Sequence, residues 1–367
     1  MAKIIDFVKK NAVMCIAFLA ALITAFIVPP DREYIGYFDF KTLTCLFCVL
    51  AVVCALRNIG FFFCLAHTIV KKFKTARTCI LVLVYVTFIG SMFIANDMAL
   101  LTFLPLGYLV LSESGEEGYL AFTFVMQNIA ANLGGMLTPF GNPQNLYLYT
   151  KFNIPTIEFM GIMIIPFLIA VVFITICCCF VKNEPLNIRG EQSRLPKKRT
   201  IIYLVLFALS ILIVFRGIHY IIGLVVIPFV LLFMDKKALK QVDYPLLFTF
   251  VFFFIFAGNM ARIESVKNLL SALLEKNTLL FSALSCQVIS NVPSAILLSQ
   301  FTSDYAPLLI GVNIGGAGTL IASLASLITF REYTRHYPNR VGRYIVMFSL
   351  FNFGFLIILT LIMSFLV

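Results

Sequence analysis

Charge is scarce in this sequence. Asp, Glu, Lys and Arg make up 12% of its 367 residues, about half the share of an ordinary soluble domain. With 61% of residues hydrophobic, a soluble globular class is excluded. Histidine is nearly absent too. His67, His219 and His336 stand far apart, each near the end of an apolar run, where a solvated or interfacial role is expected. There is no His-Glu-x-x-His zinc site, no Gly-x-Ser-x-Gly elbow and no pair of acids suited to magnesium. The enzyme class is therefore set aside, and no catalytic residue, resident metal or cofactor is expected.

Two further absences matter. No small-x-small cleavage site follows the first apolar run, which ends in Pro29-Pro30. That run is expected to remain as a transmembrane helix, not to act as a signal peptide. Nor do the ten cysteines form an evenly spaced extracellular framework. They lie almost entirely in apolar segments, so disulfides are not expected. Cys177, Cys178 and Cys179 fan out about 100° apart on a helix and cannot all face one metal.

What the sequence has is long apolar runs. About 20 such residues cross the ~30 Å hydrocarbon core. Unpaired backbone amides are not tolerated there, so the runs must be helices. Candidate spans are Asn11–Val28, Phe40–Leu56, Tyr119–Tyr149, Ile157–Val181, Ile201–Phe215, Ile218–Met234, Pro245–Asn259, Tyr305–Phe330 and Tyr344–Leu366. Two more runs, 79–111 and 279–301, are interrupted midway by polar residues. Each fits a re-entrant hairpin with a non-helical tip at mid-membrane. Arg57–Thr78 and Ala261–Lys276 read as interfacial amphipathic arms. The expected fold is an all-α polytopic membrane protein with about nine spans, two re-entrant hairpins and two helices broken at mid-membrane.

The net charge of +11 does not mark a nucleic-acid partner, because the bases sit in short connections and not in one stripe. They mark orientation. With the N-terminus cytoplasmic and each hairpin returning to its own side, the connections 57–78, 112–118, 182–199, 235–243 and 331–343 are cytoplasmic. Together with the N-terminus they hold 21 of the 28 Lys and Arg. Loop 112–118 carries Glu113, Glu116 and Glu117 and no base, but acids count little in this rule. A plasma-membrane location follows as the expectation. The polar stretch 182–199 is a cytoplasmic linker between two halves, 1–181 and 200–367.

The halves repeat one another. One hairpin tip reads Ala95-Asn96-Asp97, the other Ser290-Asn291-Val292-Pro293. Each is followed by a run in which Asn, Gly, Gly and Thr recur at the same offsets: Asn132, Gly134, Gly135 and Thr138, then Asn313, Gly315, Gly316 and Thr319. The topology puts the hairpins on opposite sides, so the repeats are inverted. Inverted repeats with broken helices near the midplane mark secondary transporters.

A broken helix presents free N–H groups at one stub and free carbonyls at the other, and these hold an anion or a dehydrated cation. The candidate binding residues are Asn96, Asp97, Asn132, Thr138, Gly141, Asn142, Ser290, Asn291, Asn313, Thr319 and Ser323. Prolines flanking Phe140-Gly141-Asn142 should stop helix pairing in the first half; no proline stands at Thr319–Ser323. The glycine pairs taken singly read equally as packing surfaces, and the asparagines as bridges between helices. Asp97 lies deep in an apolar stretch, where an acid is costly and marks an ion- or proton-linked role; a helix cap is the alternative. Glu158 reads as a complement to a helix N-terminus, and Glu264 as an interfacial acid.

At these motifs the chain resembles the ion transporter superfamily. That group includes citrate-transporter-like proteins, arsenite permeases, D-type sodium–proton antiporters and divalent anion–sodium symporters. Asn96-Asp97 resembles the first hairpin of the arsenite-permease-like members. The stretch from Asn132 to Asn145 is similar to the broken helix of the antiporter-like branch, in which an acid commonly stands where Asn142 is. The resemblance implies an elevator mechanism and often a homodimer. The expected function is secondary transport of a small anion, a carboxylate or an oxyanion, coupled to Na+ or H+. A cation–proton antiporter and an arsenite-type efflux permease are the alternatives. A passive channel would not need two opposed hairpins. The layout predicts that single cysteines in 182–199 label only from the cytoplasmic side, and those at 262–276 only from the other; labelling of both from one side contradicts it.

Overall fold

The computed structural model describes residue 7 and residues 11–185 and 195–366. Lys3, Lys9 and Lys10, and the linker residues Arg189 and Arg194, lie outside the described residues. Among the described residues, helices are the only regular elements, beside one isolated bridge between Thr75 and Pro185. Six helical stretches are long and apolar enough to cross a membrane. None of the ten cysteines forms a disulfide.

In the first half, α1 (Ala12–Ile27) and α2 (Phe40–Asn58) match the first two apolar runs. Pro29-Pro30 follow α1 and cannot extend it. Asp39 starts α2 by accepting from the Thr42 N–H at 2.9 Å. Gly60, at φ 72°, turns the chain into the short helix α3 (Phe61–Val70). Here one expectation fails. His67 is only 5% exposed, because α3 packs against its neighbours, and it stacks on Phe63. His219 is exposed, as expected, while His336 is half-buried, stacked on Tyr108 and 3.2 Å from Glu332.

The first hairpin consists of α4 (Ala76–Ile94) and α5 (Asn96–Glu113), joined through Ala95 alone. Its arms, 19 and 18 residues, run beyond the 79–111 expected. Next come α6 (Leu120–Gly134), a tight turn to Leu137, an open break, α7 (Pro143–Lys151) and α8 (Thr156–Cys179). Glu158 lies in the first turn of α8 and accepts the Tyr305 hydroxyl.

The second half opens with α9 (Lys197–Val214), α10 (Tyr220–Met234), α11 (Lys236–Lys240) and α12 (Tyr244–Ala261). The long α13 (Glu264–Ile289) leaves helical geometry at Asn277, whose Oδ1 accepts from Leu280 N at 2.8 Å and starts the helix afresh. The arm 261–276 and the hairpin are thereby separated. After α13, Ser290 is the tip and α14 (Asn291–Leu298) returns. Then α15 (Tyr305–Ile314), a second break, α16 (Leu324–His336) and α17 (Val341–Leu366) complete the chain.

The hairpins and broken helices of both halves pack into one core, with α7 touching α14 and α15, and α16 touching α5 and α6. Around it lies a flank in which α12 packs on α1, and α9 and α10 on α2. Arg262 at the end of α12 clamps this flank, 2.7 Å from Asp31 and 3.5 Å from Glu33.

The second break forms without proline. Gly318 sits at φ 120°, and a Cβ there would come 2.1 Å from Gln287 Oε1. Only glycine enters that conformation readily. Each break strands carbonyls, which cannot stay unpaired in lipid. Asn145 Nδ2 donates to Gly135 O, Met136 O and Thr138 O at 3.1–3.2 Å. In the second half Gln287 does this from the hairpin, its Nε2 donating to Gly315 O at 2.9 Å and Ala317 O at 3.1 Å. Leaving buried polar groups unpaired costs ~1–3 kcal/mol each. Asn145→Leu and Gln287→Leu should therefore lower the melting temperature of the purified protein by several degrees, more than Asn339→Leu, which is exposed and lies outside the breaks.

Candidate functional site

The two hairpin tips are built alike. Ala95 and Ser290 take positive φ, 64° and 79°, which is uncommon for residues with a Cβ and marks sites where the surroundings hold strain. In each case the next residue is asparagine, and its side chain starts the returning helix. Asn96 Oδ1 accepts from Asp97 N at 3.0 Å, and Asn291 Oδ1 from Val292 N at 2.9 Å. Each tip is tied to its broken helix by a threonine. Thr138 donates to Met92 O at 2.7 Å, and Thr319 to Gln287 O at 3.1 Å. Both carbonyls lie three residues before the tip. Gly134 admits the hairpin closely: a Cβ there would sit 2.2 Å from Phe88 O.

Behind the tips an amide network joins the repeats. Asn96 Nδ2 donates to Asn132 Oδ1 at 3.1 Å. Asn142 Nδ2 donates to Asn132 O and to Asn313 Oδ1, each at 3.2 Å. Gln144 Nε2 also reaches Asn313 Oδ1, at 3.3 Å, and Asn313 Nδ2 donates to Asn145 Oδ1 at 2.6 Å. Asparagines from both halves thus share one buried cluster.

A cavity of about 120 Å³ opens in front of this cluster. Asn96, Asp97, Gln144, Asp243, Asn291 and Arg331 line it. The first residues of α5, α7, α14 and α16 all contribute to its wall. Each helix start carries the positive end of its dipole, which favours negative charge there, while Asp97 and Asp243 place two carboxylates in the same wall. Four buried side-chain atoms here have no hydrogen-bond partner among the described residues: Asp97 Oδ1, Asn132 Nδ2, Asn142 Oδ1 and Gln144 Oε1. Buried polar atoms are normally satisfied, and such exceptions mark places where a ligand, ion or water is bound.

Of the residues expected from sequence, Asn96, Asp97, Ser290 and Asn291 face the cavity. Asn132, Asn142 and Asn313 form the network behind it. Thr138 and Thr319 brace the tips instead. Gly141 allows the break to fold on itself, since a Cβ there would lie 2.3 Å from Gly135 O. Ser323 caps α16 by accepting from Ser326 N at 3.2 Å. Asp97 makes no capping bond; Asn96 serves that end of α5.

Gln144, Asp243 and Arg331 belong to the cavity and were not among those candidates. Asp243 reads in sequence as a loop acid before Pro245. It caps α12, accepting from Leu246 N at 3.0 Å. Arg331 reads as one of the bases of a cytoplasmic connection. The signal in both cases is only that each directly adjoins an apolar run.

Burial raises the Asp243 carboxyl above the ordinary carboxylate range. Such an acid holds its proton more tightly folded than unfolded, so its contribution to stability is lost as pH rises through the raised value. Asp97 and Arg331 share its cavity. Asp243→Asn should therefore flatten the fall in melting temperature between the ordinary carboxylate range and neutral pH. A slope identical to that of the unmodified protein would show Asp243 ionised in the folded state.

Comparison with known proteins adds the following. The sequence model of the citrate transporter family matches residues 1–308. An uncharacterized transporter of Methanocaldococcus jannaschii, MJ0456, is 32% identical over 322 residues, 88% of each chain. The inner membrane protein YbiR of Escherichia coli is 28% identical over 84% of each. In fold, the chain is similar to the YdaH transporter of Alcanivorax borkumensis, a crystal structure described as having an unusual topology. The TM-score is 0.54 at 12% identity, covering 91% of this chain and 88% of that one.

Proposed function

The chain belongs to the citrate transporter family, and from that premise we propose that it is a secondary active transporter of a small anion, a carboxylate or an oxyanion, coupled to Na+ or H+. The observation that carries this reading is the convergence of four helix N-termini and Arg331 on one cavity. An anion placed there meets the positive ends of four helix dipoles, the Arg331 guanidinium and asparagine amides without needing a full buried countercharge from every side.

The cavity is also lined by Asn11–Met14 at the start of α1 and by Leu246 and Thr249 near the start of α12. With a cytoplasmic N-terminus, both helices begin on the cytoplasmic side, so this is an inward-facing state in the plasma membrane. The core of hairpins and broken helices is the moving body of an elevator, and the flank of α1, α2 and α9–α12 is its scaffold, in a homodimer. Asp97 travels with the core, whereas Asp243 belongs to the flank. Their shared cavity exists on one side only, so movement separates the two carboxylates and changes the affinity of Asp97 for a proton or cation. A second reading, cation–proton antiport, draws on the same two carboxylates; it leaves the four N-termini without a partner of the right sign.

Transport by purified protein in liposomes tests the reading. Asn96→Ala and Asn291→Ala each remove the capping acceptor and a wall of the cavity, and should cut uptake by about tenfold or more at near-normal expression. Asp97→Asn should lose pH- or sodium-driven accumulation while keeping exchange of substrate between the two sides. Normal uptake in both asparagine variants would reduce the tips to structural turns. Wild-type coupling in Asp97→Asn would remove Asp97 from the mechanism.

A further inference from the structure

A second cavity, unrelated to the amide cluster, lies where the first hairpin faces the flank. It measures about 270 Å³ and is walled by Phe61, Leu65 and Ile69 of α3, Ile89 and Phe93 of α4, and Leu204 of α9. Its walls reach the outer surface of the helix bundle. Leu65 and Ile89 are each 52% exposed, Phe93 43% and Leu204 39%. Here α9 packs on α2 and α10 and stands off from the hairpin, leaving the crevice. Apolar cavities of ~150 Å³ already stay dry and take up apolar guests. This one is larger and opens onto the surface that faces hydrocarbon.

A more open pocket of about 190 Å³ adjoins it, sharing Phe62; among its mostly apolar walls the polar side chains are Arg57 and Thr102. Arg57 forms no ion pair among the described residues; its guanidinium donates to the Met98 sulfur at 3.5 Å. An arginine is suited to a phosphate oxygen, and one at the cytoplasmic surface meets anionic lipid. An apolar slot with one arginine at its mouth, at a membrane surface, has the chemistry of one molecule with a hydrocarbon tail and a phosphate head.

We infer that this crevice is a binding site for an anionic phospholipid, with one acyl chain between α3, α4 and α9 and its phosphate at Arg57. The lipid fills the gap between the first hairpin and the flank. The inference rests on the chain's membrane location and on the cytoplasmic placement of 57–78, not on which solute it carries, and its test needs no transport measurement.

Native mass spectrometry provides that test. The full chain is reconstituted with either phosphatidylglycerol or phosphatidylcholine and then stripped with detergent. The unmodified protein should keep one phosphatidylglycerol and little phosphatidylcholine. Arg57→Gln should lower the retained fraction about fivefold. Ile89→Trp and Leu204→Trp fill the slot from opposite walls and should lower it at least as much, so one still reports if the other fails to fold, as judged by melting temperature and monodispersity. Three results overturn the inference: equal retention of both lipids, retention in folded filling variants equal to that of the unmodified protein, or no retained lipid. Cross-linking between Ile89→Cys residues of two copies would also overturn it, because a protein surface and not a lipid would then cover the slot.

Discussion

A backbone broken inside a membrane must find every partner within the protein, because lipid offers none. The polar residues buried around the two breaks answer to that constraint. Asn145 and Gln287 pin the carbonyls that the breaks release. Asn96 and Asn291 serve the first N–H groups after the tips. Thr138 and Thr319 hold each tip to its break. Around the breaks, what remains after this satisfaction is one side-chain atom each of Asp97, Asn132, Asn142 and Gln144, and four helix N-termini that reach one cavity.

That leftover has a sign. Four helix N-termini and an arginine favour an anion, while Asp97 and Asp243 sit at its edge. Two carboxylates beside an anion site conflict electrostatically unless a proton or cation accompanies the anion. We propose that this conflict is what couples the anion to its proton or cation. The carboxylates stand on different elements, Asp97 at the first hairpin tip and Asp243 at the start of α12.

The fold was readable from sequence to the extent that it follows apolar length and helix-breaking residues. The spans, both hairpin tips and both breaks fall where Asn-Asp, Ser-Asn-Val-Pro and the glycine pairs interrupt apolar runs. Matched Asn-Gly-Gly-Thr offsets gave the repeat because equivalent positions meet equivalent demands: Gly134 and Gly315 both admit a hairpin, Thr138 and Thr319 both brace one. The less legible residues act across the chain. Gln287 does in the second half what Asn145 does in the first, but from a different helix, so no offset reveals it. Asp243 and Arg331 look like ordinary loop charges and become cavity residues only when α12 and α16 are folded against the tips. His67, polar in a basic segment, is buried because α3 packs inward and does not lie free at the interface.

The most direct test of an anion site is ligand-dependent thermal stabilisation of the purified protein against a panel of small carboxylates and oxyanions, with and without sodium and at two pH values. The account predicts that at least one small anion raises the melting temperature, that Na+ or a lower pH strengthens the shift, and that Asn291→Ala abolishes it. Stabilisation by cations alone, with no anion producing a shift under any condition, would contradict it.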